Sequence, residues 1–354
     1  MLLQSRKKEV EAATTQPQSS GRVSWVYHAR GLALMLIVYR HIVLGMKFSD
    51  VEVSPFMYNF QLFFFNFRMP AFFLLSGVFL ANSLRKRKEA IVAKDKVFTL
   101  LYPYILWASI MLLTQIGFEQ FSNARRGWGD FIYILTQPRK LDQLWYLLAL
   151  FNASMLYIFL NKVLHNRKAI HLLIATVLHV ISYNLYGNSL LSDPFYFYIF
   201  LFAGSLLLEQ FIDAKKSSQI FNQKYFLLAI PVFLLGQWFW FSNMEKKGFY
   251  YIIFFLIILV GCFFLFSAAN LLARSKKNEW LAYIGRYSLY IYILHVQVAA
   301  VLRKVIRNAF PDVDPWLLFA GCYISAIVLP IVFIRVFKNY GVERLFTLKT
   351  SGRA

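Results

Sequence analysis

Apolar runs of near-membrane length, each closed by lysines and arginines, succeed one another along most of this 354-residue chain. A helix that crosses a bilayer core needs about 20 predominantly apolar residues. Runs of that kind lie roughly at 23–46, 57–80, 97–117, 144–164, 169–187, 195–212, 225–242, 249–273, 280–303 and 316–337. They predict an all-α, polytopic transmembrane bundle of about ten spans, with the fifth to seventh runs marginal in length.

The polar positions between the runs set direction. With the N-terminus inside, the larger basic segments fall on the cytoplasmic side, about 23 Lys/Arg against about nine outside. They are Arg6, Lys7 and Lys8; Arg85 to Lys88 with Lys94 and Lys96; Arg167 and Lys168; Lys215 and Lys216; Arg274, Lys276 and Lys277; and the C-terminal tail. Asp193, Asp312 and Asp314 fall on the other side. This positive-inside bias predicts an N-in, C-in protein. Residues 1–22 read as a disordered cytoplasmic tail without the apolar stretch of a signal peptide. Residues 23–340 form the membrane domain, and 341–354 a cytoplasmic C-terminal tail.

Composition narrows the class further. At 59% hydrophobic and 16% charged residues, the chain has more apolar surface than a soluble domain of this length can bury. The net charge of +21 sits in short loops, which argues for membrane orientation and against nucleic-acid binding. Cys262 and Cys322 lie in separate apolar runs without metal-ligand spacing, so no metal site is expected. No internal repeat of the inverted-transporter kind is visible.

The first span carries the candidate chemistry. A charged side chain at mid-membrane costs roughly 2.5–3.5 kcal/mol on insertion scales, so it usually serves a partner, a pathway or a reaction. Arg30 and His41 are eleven residues apart, about three helical turns plus 20°, which puts them on one stripe about 16 Å apart. A neutral imidazole can act as general base, and a cation can hold an anionic donor or a developing oxyanion. The same pair equally suits interhelical hydrogen bonding that only fixes the bundle. Arg40, about 100° away, reads as a snorkelling or paired residue. In residues 66–80, Pro70 and Gly77 flank Ser76, and Arg68 is a second intramembrane cation. Alone, that segment is a kinked packing helix. The loop at about 118–143, with Arg125, Arg126, Trp128, Asp130 and Asp142, fits a sugar face and an ordinary interfacial belt alike.

Four strings, in order, resemble those of membrane-bound acyltransferase family 3, the integral-membrane carbohydrate O-acyltransferases that include fucose 4-O-acetylase-like proteins. They are Arg30-GLALMLIVYR-His41, FRMPAFFLLSG at 67–77, LWYL at 144–147 and GRYSLYIYILH at 285–295. The resemblance covers about residues 23–340. It implies an essential histidine at His41 with Arg30 as partner cation, and substrate or donor contacts among Arg68, Ser76, Trp145, Tyr292 and His295. Two departures stand out. Tyr27 occupies the place of a usual acid before the arginine, and the region before the third span has Thr99 where an arginine is common. Lys94 and Lys96 are then candidates to bind donor phosphates, or residues that only set topology.

The resemblance implies transfer of an acyl group, most simply acetyl, from cytoplasmic acyl-CoA to a hydroxyl of a cell-surface or exported carbohydrate. His41 would serve as general base or transient acyl carrier. Acyl-CoA is the donor substrate and no permanently bound cofactor is implied. The expected setting is the inner membrane as a multi-pass protein, with a separate polysaccharide-synthesis partner conceivable. The rival reading is a transporter or flippase of a lipid-linked saccharide, and a third is a sensory or scaffolding membrane protein.

Overall fold

The computed structural model describes residues 24–118, 126–165, 167–185 and 187–348. The expected N-terminal tail, Arg125 and the last six residues lie outside that set. Its helices of eight or more residues are α1 (Ser24–Phe48), α2 (Pro55–Phe63), α3 (Arg68–Lys86), α4 (Glu89–Lys96), α5 (Tyr102–Gly117), α6 (Trp145–Leu164), α7 (Lys168–Ser182), α8 (Ser189–Leu206), α9 (Gln223–Asn243), α10 (Tyr250–Leu272), α11 (Glu279–Arg286), α12 (Ser288–Ala309) and α13 (Pro315–Phe337).

Among the described residues, nine helical segments are long and apolar enough to cross a membrane. α7 is apolar but only 15 residues long, about 22 Å. It packs along α8 and α6, which makes it the tenth member of the bundle. Together they form an all-α polytopic bundle. The faces of α7 and α9 turned away from the bundle carry exposed Leu172, Leu173, Val180, Leu227, Leu228 and Leu235, as lipid contact requires.

Three breaks depart from the apolar runs and shape the interior. The run at 57–80 is two helices, because the chain leaves helical bonding after Phe63 and resumes at Arg68. Pro70 is the reason. Within a continuous helix its ring would collide with the carbonyl four residues earlier, so it sits in the first turn of α3. There the first helical bond runs from Ala71 N–H to Phe67 O at 2.9 Å. Pro70 therefore opens a helix, where a kink inside one was expected. Pro103 has a parallel effect. The π-helical turn Val97–Leu101 precedes it and joins α4 to α5, widening the coil where the proline lacks a donor. The third break, at Tyr287, separates α11 from α12 within the run expected at 280–303.

α1 stands at the centre, packed by α2, α3, α10, α11, α12 and α13. Two close crossings hold the bundle. A methyl group on Gly77 of α3 would collide with the carbonyl of Leu201, and one on Gly204 of α8 with that of Leu74. Gly285 and Gly31 bring α11 equally near to α1, against the carbonyls of Tyr27 and Leu281. In lipid, where helices gain little by hiding apolar surface, such backbone contact supplies the packing energy. The chain end also docks. Phe346 is fully buried, with Trp107 and Tyr290 rings each 4.9 Å away, and the Trp107 indole donates to Leu345 O at 2.9 Å.

Substituting Gly77→Val is expected to lower stability by at least about 1–3 kcal/mol through overpacking. Gly236→Ala, whose added methyl meets only the Ile257 side chain at 3.5 Å, should be nearly neutral. Thermal melts of the two variants in one detergent check the contrast. Equal melting points would refute the crossing as a determinant.

Candidate functional site

The charged stripe of α1 faces protein. His41, half-buried, places Nδ1 2.8 Å from Nε2 of fully buried His295 on α12, with ring centroids 4.9 Å apart. The other His295 nitrogen, Nδ1, lies 3.0 Å from Ile291 O and 2.8 Å from Tyr292 O. Carbonyl oxygens only accept, so His295 Nδ1 must carry its proton. His295 Nε2 is then an acceptor, and His41 Nδ1–H donates to it. The consequence is chemical: His41 Nε2 keeps an unprotonated lone pair, aimed by a second imidazole. That is the arrangement a base or nucleophile needs.

Arg30, at the other end of the stripe, lies over the Phe79 ring at 4.9 Å. It is within electrostatic range of Tyr27, Tyr146 and Lys96. No carboxylate pairs with it among the described residues. The tyrosine at position 27 thus stands near the arginine where an acid was expected, without neutralising it. Lys96 joins Arg30 in the interior, whereas Lys94 is exposed over Phe98 at 5.8 Å. The structure therefore separates two lysines that the sequence grouped together.

Between the ends runs a file of aromatic hydroxyls. Tyr146 lies close to the Ser76 side chain, and its ring lies 5.4 Å from that of Tyr292. Tyr292 in turn lies 6.0 Å from the His295 ring and donates its hydroxyl to Gln143 O. Gln143, fully buried, donates to Ile293 O at 3.0 Å and ties α12 to the turn before α6. Ser76, Tyr292 and His295 are thereby brought into one system with Arg30 and His41.

The outer half of the site is cationic. Arg68 is buried and donates from Nη1 to Leu36 O at 2.8 Å. Its guanidinium lies 5.2 Å from the Phe65 ring, which also carries Arg40 at 4.4 Å. Arg40 donates to Gln61 Oε1, so it is paired, one of the two roles expected for it. Both arginines are within electrostatic range of His41. Trp145 lies beneath Arg139, 4.2 Å from the ring centre, and stacks on Phe197 at 5.7 Å. Arg139 is bound by Asp193, with Nη2 to Oδ1 at 2.7 Å. One face of the indole is thus already occupied.

Tyr146, Gln143 and Arg139 were not among the residues expected from sequence. Tyr146 adjoins Trp145 in the LWYL string and was legible there. Gln143 and the Arg139–Asp193 pair, 54 positions apart, carry no local signal. In the outer loop, Trp128 is exposed and stacked on Phe131 at 6.1 Å, away from these contacts. Among the described residues no group of three His, Cys, Asp or Glu side chains is placed to hold a metal ion.

No curated protein and no solved structure matches the chain. The model of one family, described as an acyltransferase domain, matches residues 23–335. That span takes in every helix from α1 almost to the end of α13, and with it the histidine pair and the arginine stripe. This multi-pass membrane chain belongs to acyltransferase family 3.

Proposed function

We propose that the protein is an O-acyltransferase of the inner membrane that moves an acyl group, most simply acetyl, from cytoplasmic acyl-CoA to a hydroxyl of a cell-surface or exported carbohydrate. The observation that carries this reading is the histidine relay, which leaves His41 Nε2 as a directed base inside the bundle. At the inner end, Arg30 and Lys96 form a cationic pair; Asp95, within electrostatic range of Lys96, is itself ion-paired to Arg87. Such a pair suits the phosphates of CoA. The tyrosine file then offers hydroxyl groups along the way from that pair to His41.

In the transfer, His41 Nε2 takes the proton of the acceptor hydroxyl as its oxygen attacks the thioester carbonyl. The tetrahedral oxyanion forms within range of the Arg68 guanidinium and collapses to the new ester. The departing thiolate receives the proton from His41 and leaves as CoA thiol. His295 acts through His41 as a positioning residue, holding its Nδ1 proton and its ring. The same Nε2 serves as nucleophile if the acyl group rests briefly on His41, with the acceptor attacking second. A separate polysaccharide-synthesis partner fits the delivery of such an acceptor.

Purified protein given acetyl-labelled acetyl-CoA should release free thiol and pass label to a saccharide acceptor. His41→Ala should lose about 10²–10⁴-fold in turnover, the usual worth of a general base. Normal turnover in a well-folded His41→Ala variant would sink the mechanism.

His295→Phe keeps an aromatic ring but removes the acceptor for His41 Nδ1–H. It should lower kcat by about 10–100-fold with little change in KM for the donor. It should also free His41 to exchange tautomers, read as a shift of its ring ¹⁵N resonances. Unchanged resonances would dismiss the relay. Arg30→Gln should raise KM for acyl-CoA about tenfold or more, the loss expected of a charge-assisted phosphate contact. A flat donor response would remove Arg30 from that role.

A further inference from the structure

The arginines on the outer side of His41 carry charge that their surroundings do not return. Arg40 and Arg68 share the Phe65 ring, at 4.4 and 5.2 Å, and are within electrostatic range of each other. Their hydrogen-bond partners are neutral: Gln61 Oε1 for Arg40, and Leu36 O for Arg68. Neither makes an ion pair among the described residues. Arg139, near Arg40, is held by its own carboxylate, Asp193, and adds no negative charge to the cluster.

The amide beside Arg40 adds a donor. Gln61 is 1% exposed, and because its Oε1 accepts from Arg40, its Nε2 group is buried without a partner. A buried unpaired donor costs about 1–3 kcal/mol, and like charges in a poorly solvated interior repel more strongly than in water. Two cations beside one ring, with the idle Gln61 N–H group next to Arg40, lack an anion.

We infer that this cluster seats an oxyanion carried by the acceptor, a phosphate or a carboxylate, held by Arg40, Arg68 and the Gln61 amide so that a neighbouring hydroxyl reaches His41. The inference rests on the transfer reading above and names its acceptor as acidic. The donor's phosphates do not explain the cluster. Arg40 is ten residues beyond Arg30 on α1, about 15 Å along the axis, and Arg68 begins α3 at the end opposite Arg85 and Lys86. An anion here therefore belongs to the second substrate. Its two sources are a phosphate-linked sugar, including a lipid-linked pyrophosphate, and a sugar acid.

The test uses the full chain purified in a neutral detergent, with inorganic pyrophosphate, glucuronate and glucose as probes at constant ionic strength. Pyrophosphate or glucuronate should raise the melting temperature saturably, by about 2 °C at ten times its Kd, while glucose does not. A pyrophosphate response lost in Gln61→Glu and kept in Lys96→Gln, without one to glucuronate, assigns a phosphate-bearing acceptor, and a response to glucuronate alone a sugar acid. Gln61→Glu introduces a carboxylate beside Arg40 at nearly constant volume. It should raise the melting point of the unliganded protein and weaken the anion response about tenfold or more, as should Arg40→Gln. Lys96→Gln should leave the part of the response that depends on Gln61 intact.

No saturable response of the wild type to either anion overturns the inference, as does a response lost in Lys96→Gln but kept in Gln61→Glu. Thiol release from acetyl-CoA without any anion response overturns this inference alone. A response mapped to Arg40 and Gln61 without thiol release overturns the transfer reading, and with it the assignment of the anion to an acceptor.

Discussion

The hydrogen bond between His41 and His295 constrains more of this bundle than any other polar contact. Each imidazole lies where water is scarce, and each needs a partner whose donor and acceptor sense is complementary. The carbonyls of Ile291 and Tyr292 set the proton of His295, and His295 sets the proton of His41. The direction of the relay therefore originates in the backbone of α12. That helix must lie close to α1 and at a fixed height. The break at Tyr287 lets α11 cross α1 through Gly31 and Gly285 while α12 takes its own path past His41. Close glycine packing and the geometry of the histidine pair are thus one arrangement.

Membrane residence, the number of long helices and the inward stripe of α1 were legible in the sequence. Each follows from a local rule: run length, basic loops, and the helical repeat that aligns Arg30 with His41. What remained hidden depends on contacts between distant segments. His41 and His295 are 254 positions apart, and no periodicity couples them. The string around His295 suggested importance through resemblance, but not the partner or the proton direction. Ser76 was visible as a small polar residue between Pro70 and Gly77, while its place close to Tyr146 needed the fold.

Proline explains the remaining differences. At 66–80 the residue types were read correctly but the backbone was not, since Pro70 starts α3. Opening the helix there leaves Phe65 outside α3, beside Arg68. That ring becomes the shared platform for two guanidiniums. At Pro103, the π-helical turn changes the register between Lys94 and Lys96 and the rest of the span. Helical spacing alone could not tell which lysine joins Arg30. The answer is Lys96: two positions apart on α4, the lysines project about 200° from each other, so only one can face inward.

The charges of the interior then form two separated groups with a neutral stretch between them. Arg30 and Lys96 occupy the inner group, Arg40 and Arg68 the outer, and Tyr146, Tyr292 and the histidine pair lie between. Placing all four cations together would multiply a repulsion that the described residues, which give the three arginines no ion pair, do little to offset. Separation by about 15 Å reduces that cost. It also gives each end its own anion on the proposed reading, and the neutral middle suits the uncharged part of the chemistry, a thioester carbonyl and a hydroxyl meeting at an imidazole. On the proposed reading, the two substrates keep their charged groups at opposite ends and touch only through their reacting atoms. On that reading His41 takes a neutral partner, since a carboxylate beside it would offset the outer guanidiniums that the acceptor is meant to find.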